Sequence, residues 1–323
     1  MKKTLLAAAV ASTVTSFAMA DISITGDAKF EYDHHDTGSA TSSTTNTEMH
    51  INIVGKQGDT SVVIKTEIDS HGTDGSGLDI EDNYITTKVG DISVKAGNYA
   101  SGTSGLLGEI EEGSRATNKV TLSGSLGGVG LYAGNSGATT GDGDTVINNN
   151  MFAGAKFKVA GQNIEVKKNS DTKDSWGIKG SVSGVDYRYE ASDDDTDGDT
   201  SFVMIQTKLA GVTVQYAALD ADATAALEET DSSIFAQEAA NSSGNATGQQ
   251  QVAISTSVDG TKLTAKSGTI EKGLTGGADQ DYIQLSASRA LASGATLVVT
   301  YNDNDTSTSA SKENLEVELN VKF

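Results

Sequence analysis

Four histidines, His34, His35, His50 and His71, and one acidic run from Asp193 to Asp199 are the side chains whose types offer chemistry. Imidazole and carboxylate together would hold a divalent metal, but no Glu-x-x-His or paired spacing accompanies these histidines. Three of them fall in stretches that read as the first two polar loops. The acidic run places oxygens at alternate positions, Asp193, Asp195, Asp197 and Asp199, with Gly198 where a sharp turn is needed. A calcium loop would continue to a bidentate glutamate at its twelfth position, and Met204 stands there. The run is expected to be a solvated surface loop with weak divalent binding at most, and no metal or cofactor is expected elsewhere. Absence of cysteine and proline removes disulfides, thiolate metal sites and cysteine nucleophiles. Serines are too abundant for any serine–histidine pairing to be informative, and no catalysis is expected.

These side chains sit on a chain with a formal net charge of -21, which argues against a nucleic-acid partner. Hydrophobic residues make up 36% of it, a content that suits disorder unless the apolar positions are ordered. They are ordered, at period two. Ile22, Ile24, Ala28, Phe30 and Tyr32 share one face of a strand whose other face carries Asp27, Lys29 and Glu31. Val185, Tyr187 and Tyr189 oppose Asp186, Arg188 and Glu190, and the chain closes on Leu315-Glu316-Val317-Glu318-Leu319-Asn320-Val321-Lys322-Phe323 in the same alternation.

Glycine-bearing tight turns recur at Gly58, Gly90, Gly127, Gly161, Gly184, Gly211, Gly260 and Gly294, and longer polar loops lie between them. Nine loops and eight turns join eighteen strands. One-sided alternation leaves no place for an opposing sheet, so the sheet must close on itself to leave no edge. The expected fold is all-β, a transmembrane antiparallel β-barrel of 16–18 strands, eighteen by turn count, with short periplasmic turns and long extracellular loops. Phe30, Tyr32, Trp176, Tyr189, Tyr216 and Tyr301 fall on the apolar face at the loop ends, as an interfacial girdle requires. Tyr84, Tyr132 and Tyr282 are out of phase and are expected at the interior or the rim. At the amino end Lys2 and Lys3, the run Leu5 to Val10 and Ala18-Met19-Ala20 predict a cleaved secretory signal over 1–20, leaving 21–323 as the barrel domain.

The opening strand Ile22-Ser23-Ile24-Thr25-Gly26, the loop–turn alternation and the closing Phe323 resemble the trimeric general porins of Gram-negative bacteria. The resemblance implies the cell outer membrane, contact with its lipid, and a water-filled channel for passive diffusion of small hydrophilic solutes and ions. It also implies a homotrimer and recognition of Phe323 by the barrel-assembly machinery. Family porins usually have sixteen strands, against eighteen counted here. Their third loop folds inward as a constriction, which makes Ala100 to Thr117 the corresponding loop, with Glu109, Glu111, Glu112 and Arg115 as constriction residues and Leu106, Leu107 and Ile110 as anchors. The Pro-Glu-Phe-Gly-Gly type of loop sequence is missing.

On the barrel wall the inward parity collects Lys29, Lys65, Lys95, Lys119, Lys156, Lys158, Lys167, Lys179, Arg188, Lys262 and Lys266, against fewer acids that include Asp27, Glu67, Glu165, Asp186 and Glu190. Wall charges in a wide lumen are screened beyond about 8 Å, whereas constriction charges act on every passing ion at contact range. Weak cation selectivity is the expectation. Residues 221 to 240 read equally as a helix or as an irregular seventh loop. A substrate-specific, sugar-type channel would show a ladder of lumen-facing aromatics, and most aromatics here have the lipid parity. A surface β-solenoid adhesin would repeat at a fixed period, and the turn glycines are spaced irregularly.

Overall fold

The computed structural model describes residues 21–69, 78–100, 106–110, 115–135, 151–169, 173–194, 198–222, 234–236, 246–271, 278–306 and 309–323. The leader at 1–20 lies outside them. Eighteen strands follow one another: β1 (Asp21–Asp36), β2 (Thr41–Gln57), β3 (Thr60–Asp69), β4 (Asp79–Val89), β5 (Ile92–Ala100), β6 (Arg115–Leu126), β7 (Val129–Asn135), β8 (Met151–Val159) and β9 (Gln162–Asn169). The second half comprises β10 (Lys173–Val182), β11 (Val185–Asp194), β12 (Thr200–Leu209), β13 (Val212–Ala221), β14 (Gly248–Val258), β15 (Thr261–Glu271), β16 (Gln280–Ala290), β17 (Thr296–Thr306) and β18 (Ser309–Lys322). Each pairs antiparallel with its neighbours in sequence, and β1 pairs with β18 as well as β2, so the sheet closes with no edge.

Closure is completed by the last residue. The Phe323 N–H donates to the Gly26 carbonyl and the Gly26 N–H donates to the Phe323 carbonyl, both at 2.9 Å. A Cβ on Gly26 would stand 2.7 Å from the Phe323 ring, so glycine makes the space that the terminal aromatic fills. At the other end of the strands the tight turns take the hairpin form that suits twisted strands. Ala160, Ser183, Ala210 and Asp259 have φ of 49°, 51°, 49° and 49°, and each precedes a glycine that also has positive φ.

The outward face is apolar: Ile24 is 61% exposed and Trp176 46% exposed on the isolated chain, and the Trp176 and Tyr189 rings pair at 5.2 Å. The opposite face carries buried acids, amides and the apolar cluster described below. Loop limits differ from the sequence reading. Residues 33–36 and 41–46, polar enough to read as the first loop, instead extend β1 and β2, with residues 33–36 paired to β18 as well, and His34 Nδ1 and Ser43 Oγ lie 2.9 Å apart. Serine and threonine runs suit a paired strand in water as well as a loop, so polarity alone misplaces the boundary. Of the stretch 221–240, Ile234–Ala236 is a bend, and residues 223–233 and 237–240 lie outside the described residues.

Candidate functional site

Two short segments pack against the inner wall. The first, Leu106 to Ile110, belongs to the third loop. Leu107 and Ile110 join a buried cluster with Phe202, Ala217 and Leu219 from β12 and β13, and Leu106 is buried beside them. Ions then fix its backbone. The Leu106 N–H donates to Glu165 Oε2 (3.1 Å) and the Glu109 N–H to Glu190 Oε2 (3.0 Å). Arg188 donates from Nη1 to Glu109 Oε1 (3.1 Å) and from Nε and Nη2 to the Leu106 carbonyl (3.3 and 3.2 Å), and its Nε is also ion-paired with Glu190. Lys173 Nζ donates to the Ile110 carbonyl at 3.2 Å. Tyr132 lies across β8 at Gly154, where a side chain would collide with its ring, and its hydroxyl donates to Glu165 Oε1 at 2.8 Å. Lys156 Nζ reaches the same oxygen at 3.2 Å.

Leu106, Leu107 and Ile110 are buried against the wall, as their reading as anchors expects, and Glu109 is drawn into the same wall. It is 7% exposed and turned into Arg188, because the strand register leaves that guanidinium beside it; it does not face open water. Arg115 was placed in the loop, and its backbone instead opens β6, paired with Ala100. Glu111 and Glu112 lie outside the described residues.

The second segment, Ile234–Ala236, is held by neutral groups and one lysine. Gln251 accepts the Ala236 N–H at Oε1 and donates from Nε2 to the Ile234 carbonyl, both at 2.8 Å. Lys266 Nζ donates to the Phe235 carbonyl (3.3 Å) and Gln284 Nε2 to the Ala236 carbonyl (3.4 Å). The Phe235 ring meets Phe202 edge-on at 6.2 Å. Tyr282 crosses β15 at Gly268, its hydroxyl 3.2 Å from both Gln249 Nε2 and Gln251 Oε1. Both segments thus anchor on the wall formed by β9 to β16.

Two charged strips line other parts of the lumen. On β18, β1, β2 and β3 the inward positions carry Glu316, Glu318, Asp27, Lys29, Glu31, Asp33, Glu48, His50 and Glu67. Carboxylate oxygens of Glu31, Glu316 and Glu318 lie within 4.8 Å of one another, as do ligand atoms of Glu48, His50 and Glu67, and none of the six is fully buried. Lys29 Nζ bridges Glu31 (2.9 Å) and Glu48 (3.1 Å). The other strip is basic. Lys65 pairs with Asp82 at 3.1 Å, and Lys95 lies over the Tyr84 and Tyr99 rings, 3.9 Å from each centroid. Lys119 is buried beside Tyr99, and Lys167 sits 5.4 Å from the Phe152 centroid. Lys179 and Lys262 are exposed, in phase with these inward positions.

Tyr84, Tyr132 and Tyr282 face inward as their parity indicated. Tyr99, Phe152 and Phe202 join them without having been picked out. Asp193 sits within β11 opposite Asp174, and the Asp199 carbonyl accepts the Asp222 N–H (2.9 Å). Asp195 and Asp197 lie outside the described residues.

Comparisons with known proteins agree with this architecture. OccK11 (OpdR) of Pseudomonas aeruginosa superposes with a TM-score of 0.69 at 12% identity, covering 94% of this chain and 96% of that one. The outer membrane protein OpdK of the same organism gives 0.64 at 10% identity, covering 94% and 98%. A Rhodopseudomonas blastica porin mutant gives 0.56 at 14% identity, covering 94% and 100%. At these identities the likeness speaks for the fold. No curated protein matches the chain in sequence. A family model described as Gram-negative porin matches residues 6–314. The chain belongs to the Gram-negative porin family and is an outer-membrane channel.

Proposed function

We propose that this channel passes small hydrophilic solutes and ions by passive diffusion with a weak preference for cations, and that the acidic strip sets the preference. The observation that carries the reading is the approach of the Glu31, Glu316 and Glu318 carboxylates on a wall that stays partly exposed. Two of the opposing bases are paired with acids, Lys65 with Asp82 and Lys156 with Glu165, and within the acidic strip Lys29 stands against Glu31 and Glu48. Glu109 adds little field, because Arg188 pairs with it. Wall charges act on passing ions through the water of the lumen, so the preference falls as salt rises. No catalytic step is inferred.

Removal of the leader at 1–20, assembly as a homotrimer and recognition of Phe323 by the assembly machinery belong to the same proposal. The double hydrogen bond between Phe323 and Gly26 supports a structural part for the terminal residue in addition to any signal. Reversal potentials of the purified channel across a potassium chloride gradient test the central reading. Cation preference that shrinks at high salt is expected, and anion preference would overturn it.

A further inference from the structure

We propose that Glu48, His50 and Glu67 form a lumenal binding site for a divalent transition metal of the zinc class. The site is laid out by strand register. Asp27 on β1 pairs with His50 on β2, and His50 pairs with Glu67 on β3, so one row across three strands presents all three side chains inward. Glu48 stands two residues before His50 on the same face. One ligand atom each from Glu48, His50 and Glu67 lies within 4.8 Å of the other two. Zinc bonds of about 2.0–2.2 Å span donors up to about 4.4 Å apart, so small side-chain rotations bring the three onto one ion.

A separate feature aims the imidazole. His50 Nδ1 is held by Asp27 Oδ2 at 3.1 Å, and Asp27 is not one of the three ligands. A carboxylate behind a histidine in this way fixes the ring and directs its other nitrogen at a metal. That nitrogen, Nε2, faces Glu48 Oε1 at 2.8 Å. Glu48 is oriented in turn, because its second oxygen is bound by Lys29 at 3.1 Å. Metal binding at Nε2 releases to water any proton that nitrogen carries.

The donor set decides the class of ion. One imidazole with two carboxylates suits zinc and its neighbours, whereas magnesium and calcium favour all-oxygen sites. The nearby Glu31, Glu316 and Glu318 group has no nitrogen donor and offers hard cations transient attraction only. All the ligands stand on strands, which hold them more rigidly than a loop would. Partial exposure to the lumen lets an ion enter from water, which completes its coordination. This site stands whatever the sign of the channel's selectivity.

The test uses the full barrel purified from outer membranes, stripped with a chelator and titrated with zinc. About one tightly held zinc per chain is expected, undisturbed by millimolar magnesium and retained by a Glu31→Gln/Glu318→Gln variant. His50→Gln is expected to weaken binding by more than tenfold, and Asp27→Asn by about tenfold through the lost orienting bond. Folding of each variant is checked by heat-modifiable migration, and Glu67→Gln gives the same readout should His50→Gln not fold. Zinc binding unchanged in both His50→Gln and Glu67→Gln, or displaced by equimolar magnesium, overturns the site and leaves only diffuse attraction to carboxylates. Selectivity measured with chelator present separates this outcome from a failure of the cation-preference proposal.

Discussion

The two segments held inside the barrel rest on one apolar patch, around Phe202, but are tied down by different chemistry. Residues 106–110 are fixed by buried ions, with Arg188 between Glu109 and Glu190, and Glu165 on the Leu106 amide. Residues 234–236 are fixed chiefly by the amides of Gln251 and Gln284. Removing one partner of a buried ion group strands the others and costs about 3–5 kcal/mol. A neutral hydrogen bond contributes about 0.5–1.5 kcal/mol net. The third-loop segment is therefore the more firmly fixed, with Arg188 as its most connected partner, and the second is a contact that releases at modest cost. Arg188 offsets part of the carboxylate charge around residues 106–110, so this segment contributes shape as well as charge.

The largest expected effect is that of Arg188→Ala. It leaves Glu109 and Glu190 facing each other without a cation, so the third-loop segment should leave the wall. Single-channel conductance and current noise should rise clearly, and the temperature at which the folded form migrates as unfolded should fall. Unchanged conductance and noise would mean that the apolar contacts of Leu107 and Ile110 suffice. Gln251→Ala should come next, losing its two hydrogen bonds to the segment and the one from the Tyr282 hydroxyl, about 1–3 kcal/mol, with a smaller conductance change confined to brief openings. A larger change than that of Arg188→Ala would invert the ranking of the two anchors. Tyr132→Phe should have the smallest effect, because Lys156 still holds Glu165. A thermal shift matching that of Arg188→Ala would show that the tyrosine bridge, and not the guanidinium, governs the segment.

The barrel itself was legible because its cause is local. Period-two alternation needs only neighbouring residues, and the turn glycines mark where each strand reverses, so counting turns gave eighteen strands where family habit suggested sixteen. Contacts across the lumen are another matter. Arg188 meets Glu109 from 79 residues away, and no spacing in the chain announces that pair. His50 looked like one of four scattered histidines until register set it between Asp27 and Glu67. Tyr99 escaped notice because a register shift between Gly97 and Tyr99 breaks the alternation just before it. Glu109 reads as a constriction residue from the family's third-loop pattern, which carries no information about its partner.

We propose that the acidic wall, and not Glu109, sets the sign of selectivity. Reversal potentials in one potassium chloride gradient, with chelator present, compare Glu31→Gln/Glu316→Gln/Glu318→Gln directly with Glu109→Gln. The wall variant should lose most of the cation preference, while Glu109→Gln should match the unmodified channel. Loss of preference in Glu109→Gln with the wall variant unchanged would show that Glu109, and not the wall, sets the sign.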